Sequence, residues 1–310
     1  MAAPISEKKR RRPIWFAVVI VAVVVVAGLS VPPGRGLARK FFDSLRVQKV
    51  QAVNVNLSNF VGPNANPTLQ QMVSQMISDK VDVTVNEKEQ PASGDDSASQ
   101  LAGFHAQLLG QRKDSPQLVV TGRHAFNLRV DRARLQEIVT EAGRPDLVLP
   151  SSIDGAVVAV QIPRTVEAQY GECPGPARAT ANIATPPPSS TQYSNCVILR
   201  EGPSPAVSVP AGLDVEQLAQ IGLELAGMSP SQARQFLQTV NWKSTLGVSI
   251  PRFMRSYEVV KVNGVNGTLL DMAGRRGPSY ALIWSKNGMV YSLTGFGDSS
   301  GALSLADSLK

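Results

Sequence analysis

The chain is poor in the side chains that usually carry chemistry. Among 310 residues there are two histidines, His105 and His124, two cysteines, Cys173 and Cys196, and only 5% aromatics. A protein metal centre needs three or four convergent ligands, drawn mostly from His, Cys and carboxylates, so so small a stock argues against one. No Ser, His and Asp stand in a recognised hydrolase arrangement. Glycine is plentiful, but Gly264-x-x-Gly267 and Gly295-x-Gly297 lack the strand, Gly-x-Gly-x-x-Gly, helix order of a dinucleotide site and read as turn residues. The adjacent Asp95-Asp96 pair lies in a polar stretch, where a solvated turn or helix cap explains it. No catalytic residue, metal ligand set or cofactor site is therefore expected, and the protein is not read as an enzyme.

Long apolar runs are also absent, with one exception. Lys8, Lys9, Arg10, Arg11 and Arg12 lead through Pro13 into Ile14 to Val31, eighteen residues without a charged side chain, which Pro32-Pro33-Gly34 terminate. As a helix this run is about 27 Å long, close to the hydrocarbon thickness of a bilayer. Trp15 stands at its near edge, where an indole suits the headgroup layer. The run exceeds the apolar core of an ordinary signal peptide and lacks a clean Ala-x-Ala cleavage site near Ala27 to Ser30, so an uncleaved anchor is expected. No cysteine follows it, which excludes a lipoprotein anchor. The five cations are topogenic: they hold residues 1–13 in the cytoplasm as a stub, 14–31 span the cell membrane once, and 32–310 lie outside. The same cluster accounts for most of the +7 net charge. A nucleic-acid reader would gather its basic residues on one module of the folded domain, so nucleic acid is not an expected partner.

Two cysteines in an exported domain most simply form one disulfide, here between Cys173 and Cys196. The loop they enclose is rich in Pro and Ser, and closing it is worth about 3 kcal/mol in the chain-entropy model.

Periodicity supplies the elements. Leu37 to Arg46 reads as a short helix and Val53, Val55 and Leu57 as a strand. Thr68 to Lys80 has helical spacing, and Val81, Val83 and Val85 alternate. Asn86 to Ser97 is polar and breaker-rich, which predicts a loop. Ser97 with Gln100 resembles a capping box and predicts a helix to Gly110, with Leu101, Phe104, Leu108 and Leu109 on its apolar face and His105 at the edge. Leu118 to Val130 is strand-like and contains His124. Asp131 caps a helix ending before Gly143, and Val157 to Ile162 is a strand. Asp214 with Gln217, and Ser229 with Pro230 and Gln232, mark helices over 215–226 and 230–240. Tyr257 to Val262 and Gly267 to Asp271 are strands joined through Asn263-Gly264 or Asn266-Gly267. Tyr280 to Trp284 and Met289 to Leu293 flank Asn287-Gly288, the strongest hairpin signal in the chain. Asp298 opens a last helix. The pattern predicts an α+β fold with a mainly antiparallel sheet, subdivided near 173–204 with a C-terminal unit over 205–310. Trp242, Phe253, Tyr257, Tyr280, Trp284 and Tyr291 cluster in that unit. Core packing is the first explanation; as a second, Tyr280, Trp284 and Tyr291 form a binding face.

Within the last fifty residues, Val262-Asn-Gly-Val-Asn-Gly267, Ala281-Leu-Ile-Trp284, Gly288-Met-Val-Tyr-Ser-Leu293 and Ala302 to Leu309 resemble a bacterial extracytoplasmic domain of unknown function carried by membrane-anchored, anti-sigma-factor-like proteins. That domain is similar in architecture to the curved sheets of the lipoprotein carrier LolA and the envelope-stress regulator RseB. The resemblance implies a curved antiparallel sheet with packed helices and a binding or envelope-sensing role without catalysis. Its partners would be membrane lipid through the anchor and a protein of the envelope. A lipid- or lipoprotein-handling module with an apolar cavity, and so a lipid ligand, is the alternative. Only twelve residues precede Pro13 and none is Cys or His, so signalling would pass through a second membrane protein rather than a direct grip on a sigma factor.

Overall fold

In the computed structural model, residues 49–55, 59–60, 65–173, 193–210, 213–239, 245–251, 256–274 and 277–310 are described. The expected span 14–31, the basic cluster Lys8 to Arg12 and the helix expected over 37–46 lie outside them. Among the described residues, no helix is long and apolar enough to cross a membrane.

Asn263 and Asn287 both carry the backbone to positive φ, at 49° and 54°, each followed by a glycine that does the same. This is the geometry a two-residue hairpin turn needs to match strand twist. The turns join β11 (Ser256–Val262) to β12 (Val265–Gly274) and β13 (Gly277–Lys286) to β14 (Met289–Phe296). Antiparallel pairing continues through β8 (Val197–Pro203), β7 (Thr165–Tyr170), β4 (Gln117–Thr121) and β3 (Gln90–Ala92) to complete an eight-stranded sheet in the order β11-β12-β13-β14-β8-β7-β4-β3. A four-stranded antiparallel sheet has the order β2 (Val81–Asn86), β5 (His124–Arg129), β6 (Val157–Ile162), β9 (Ala206–Ser208). The parallel pair β1 (Lys49–Val55) and β10 (Thr245–Pro251) stands apart from both ladders, with β1 against β12 and β13. Neither sheet is closed, and six helices accompany them among the described residues: α1 (Pro67–Lys80), α2 (Asp95–Ala102), α3 (Arg132–Glu141), α4 (Val215–Leu225), α5 (Pro230–Thr239) and α6 (Ala302–Asp307). The fold is α+β, as the pattern predicted.

The two sheets share a crease. Four stretches of chain cross it, β2 to β3 through 87–89, β4 to β5 through Gly122-Arg123, β6 to β7 through Pro163-Arg164, and β8 to β9 through Ser204-Pro205. Pro163 and Pro205 have no N–H to give a ladder, and Gly122 leaves no side chain where the Glu87 backbone passes, so three of the four bends are written into their residues. The strand expected over Leu118 to Val130 is therefore two strands in two sheets. Leu118 and Val120 before the bend and Phe126 and Leu128 after it keep one phase, which is why the period alone did not reveal it.

Most helix ends match their caps. Asp131 accepts from the Arg134 N–H and Asp214 from the Gln217 N–H. Ser229 and Gln232 bond reciprocally, the Ser229 N–H to Gln232 Oε1 at 3.0 Å and the Gln232 N–H to Ser229 Oγ at 3.3 Å. The helix expected from Ser97 to Gly110 is a correction: α2 begins at Asp95 and stops at Gly103, whose φ of 81° makes the left-handed C-terminal cap. Phe104, Leu108 and Leu109 belong to an extended segment beyond it, and β3 interrupts the expected loop before it. The last helix is also shorter than expected, since Asp298 caps a single 3-10 turn, Ser299–Gly301, ahead of α6.

The cores follow from these layers. One face of the larger sheet packs under α2, the 103–110 segment and α6, with Leu282, Trp284 and Leu293 wholly buried. On the other face Leu270 and Ala281 form a small cluster in the strands that β1 crosses. Phe126, Leu128, Val158 and Val160 of the smaller sheet pack with Val209, while α1 packs on α3 through Leu69, Met76 and Ile138. Arg144 joins α3's C-terminal loop to α4, donating to the Glu224 carbonyl at 2.6 Å and to Asp146 at 2.7 Å.

Candidate functional site

Register places one row of residues across seven strands of the larger sheet: Val260, Gly267, Trp284, Tyr291, Glu201, Val166 and Val120. All are inner-face positions, and six are apolar, aromatic or glycine. Gly267 is bare because a side chain there would crowd Val262, the Ile283 carbonyl and the Cβ of Trp284. The seventh, Glu201, is only 2% exposed. Its neighbours along β8 on this face are Val197 and Leu199, so the carboxyl occupies a position that alternation reserves for an apolar side chain.

Among the described residues, the Glu201 carboxyl has a single hydrogen bond, from the Gln107 backbone N–H at 2.6 Å, and Oε2 has no partner. Trp284 Nε1, on the far side of Tyr291 in the same row, is also unpartnered. Burial disfavours the charged carboxylate and pushes Glu201 up to about 7, a shift that the Gln107 N–H only partly opposes. Burial also raises Tyr291 and Tyr170, each with a smaller push from the nearby Glu201 carboxylate. Among the described residues no cation pairs with Glu201. Arg200, next in the chain, faces the other side of the sheet and binds Glu167 at 2.5 Å.

What covers Glu201 is the 103–110 segment. After Gly103 ends α2, Ser99 Oγ accepts from the Ala106 N–H, Glu201 from Gln107, and the Tyr170 hydroxyl from Leu109 at 2.9 Å. The segment also pairs with the chain's last residues: Leu108 and Lys310 exchange both backbone bonds, and the Gly110 N–H reaches the Ser308 carbonyl. Two side chains rising from the sheet thus hold a strap formed by 103–110 and 308–310.

At the crease, Glu87 accepts from the Arg164 guanidinium at 2.8 Å and the Arg123 N–H at 2.9 Å. These bonds, the Arg164 one first, hold its carboxyl down at about 2. Arg164 also donates to the Leu101 carbonyl, which ties the crease to α2 just before the strap begins.

Other expected features fall elsewhere. Cys173 and Cys196 form the disulfide, Cα to Cα 4.9 Å, between the end of β7 and the start of β8. Tyr280, Trp284 and Tyr291 share the inner face and are all buried, at 4%, 0% and 8% exposure. Gly295 has no side chain because the Tyr280 phenol fills that space. His105 is exposed in the strap, whereas His124 bonds Asn86 in the smaller sheet, so the structure does not bring the two together. Asp95 and Asp96 sit in the first turn of α2. Among the described residues, no group of three His, Cys, Asp or Glu is placed to hold a metal ion. Sequence reasoning missed Glu201, although a carboxylate in phase with Val197 and Leu199 was a legible signal. No known protein family matches the chain, and no curated protein and no solved structure is similar to it.

Proposed function

We propose that the chain is a single-pass, membrane-anchored protein whose extracytoplasmic α+β domain binds an envelope partner or senses the state of the envelope, without catalysis. The observation that carries the reading is the Cys173–Cys196 disulfide, because such bonds persist in oxidising compartments outside the cytoplasm. It agrees with the orientation implied by Lys8 to Arg12 ahead of the apolar run. Binding of a protein, rather than carriage of a lipid, is supported by the filling of the larger sheet's inner face: Leu282, Trp284 and Leu293 meet side chains from the strap and α6. The bends at the crease agree with a curved-sheet module.

The test is affinity capture with the full-length chain from detergent-solubilised envelope, scored for proteins and lipids together. Specific recovery of an envelope protein supports the proposal. Recovery of stoichiometric lipid alone establishes the lipid-handling alternative, and an enzymatic activity abolished by one substitution overturns both.

A further inference from the structure

We infer that Glu201 is a proton-operated latch for the strap formed by 103–110 and 308–310: with the carboxyl neutral the strap stays seated on the sheet, and its ionisation favours lifting of the strap. The inference rests on the proposed function only for its use, as a way for an exported domain to register the proton concentration outside.

The geometry has three parts. First, the carboxyl is buried on the sheet side of the contact and one oxygen has no partner, so an ionised Glu201 has one hydrogen bond where a carboxylate in water has several. Lifting the strap admits water to it. Second, beside the seating of Ala106 and Leu109 in the core, the strap's other polar holds are few: the Tyr170 hydroxyl on Leu109, Ser99 on Ala106, Gln111 on Ser304, and the pairing of Leu108 to Gly110 with Ser308 to Lys310. That last pairing links the two pieces of the strap to each other, so they can move together. Third, among the described residues no cation compensates the charge. From β14 the group facing Glu201 is Tyr291; β7 places Val166 opposite it, with Tyr170 further along the strand, and both tyrosines are neutral in this range. The strap offers only the Gln107 amide, its His105 being exposed, and Lys310 lies at the outer edge beyond Leu108. Arg164 at the crease is held by Glu87 and Leu101, Arg112 by Asp114 over the Tyr170 ring, and Asp307 of α6 by Asn263.

The sign follows. Burial raises Glu201 in the closed state, whereas the lifted state restores its ordinary value of 4.5. The closed state therefore holds the proton more tightly, and opening is promoted as pH rises from there to about 7. Within that window the opening equilibrium grows by up to about tenfold per pH unit.

Hydrogen exchange of the full-length chain in detergent, read by mass spectrometry and corrected for the intrinsic pH dependence of exchange, tests this. Peptides covering 103–110 and 305–310 are expected to exchange ahead of those from β13 and to be accelerated by sub-denaturing urea less steeply than those from β13, which marks a sub-global opening. Their opening should grow with pH across the window. Glu201→Gln should abolish that growth, and Tyr170→Phe should raise opening at every pH with the slope kept. Exchange of the strap in step with β13, or an unchanged slope in Glu201→Gln, overturns the latch. These outcomes do not depend on whether any partner is captured.

Discussion

Trp284 lies flat against Tyr291, ring centroids 5.2 Å apart and planes 8° from parallel, and the two are directly opposite in the β13–β14 ladder. The indole is completely buried. The pair joins the β13–β14 hairpin to the row that passes through Glu201, and it is the first place to probe the core.

Trp284→Ala should destabilise the protein by about 3–5 kcal/mol, since it removes a large buried ring and leaves a cavity. Asn287→Ala, in the turn between the same two strands, should cost about 1–2 kcal/mol for forcing alanine into the left-handed region. Urea unfolding followed by tryptophan-independent circular dichroism separates them. An unchanged unfolding midpoint in Trp284→Ala, together with lost capture of a partner, would instead make Trp284 a binding residue.

Cys173 and Cys196 should resist alkylation until a reductant is added. Replacing both by serine should lower stability by about 3 kcal/mol, because the enclosed loop constrains the unfolded chain. The fold should survive, as β7 and β8 remain paired from Val166 opposite Glu201 to Tyr170 opposite Val197. Quantitative labelling of both thiols without reductant is the contrary result.

The stability profile with pH should have two limbs. Glu201 is raised when folded, so its contribution is fully present below the unfolded value of 4.5 and is lost as pH climbs to about 7. The slope is up to about 1.4 kcal/mol per pH unit. Glu87 behaves oppositely: its folded value is depressed to about 2, so its contribution is present above 4.5 and lost as pH falls through that range. Urea midpoints from acid to neutral pH should show Glu201→Gln flattening the neutral limb alone. Glu87→Gln should differ from the parent least at the acid end.

A reporter that works only outside the cytoplasm, fused after Lys310, should be active, and the protein should stay with membranes through a high-salt wash. Neutral residues in place of Lys8 to Arg12 should weaken that orientation. A shortened, soluble mature protein would identify the apolar run as a cleaved signal.

Turns and caps were determined by the sequence itself. Asn263-Gly264 and Asn287-Gly288, the Asp131 and Asp214 caps and the Ser229 and Gln232 box each depend on groups within three residues of one another, so their energetics are complete locally. Tertiary structure decided the rest. The Leu118 to Val130 run reads as a single strand, yet becomes two where the Glu87 backbone, from another part of the chain, occupies the space beside Gly122. The apolar spacing after Gly103 reads as helix, but those residues are held in a non-helical course by bonds to Tyr170, Glu201 and Lys310. Glu201 shows the physical reason most directly: its hydrogen-bond donor, Gln107, is 94 positions away. A carboxyl's charge state depends on the water and the partners around it, and for this residue both are set only when the strap closes over the sheet.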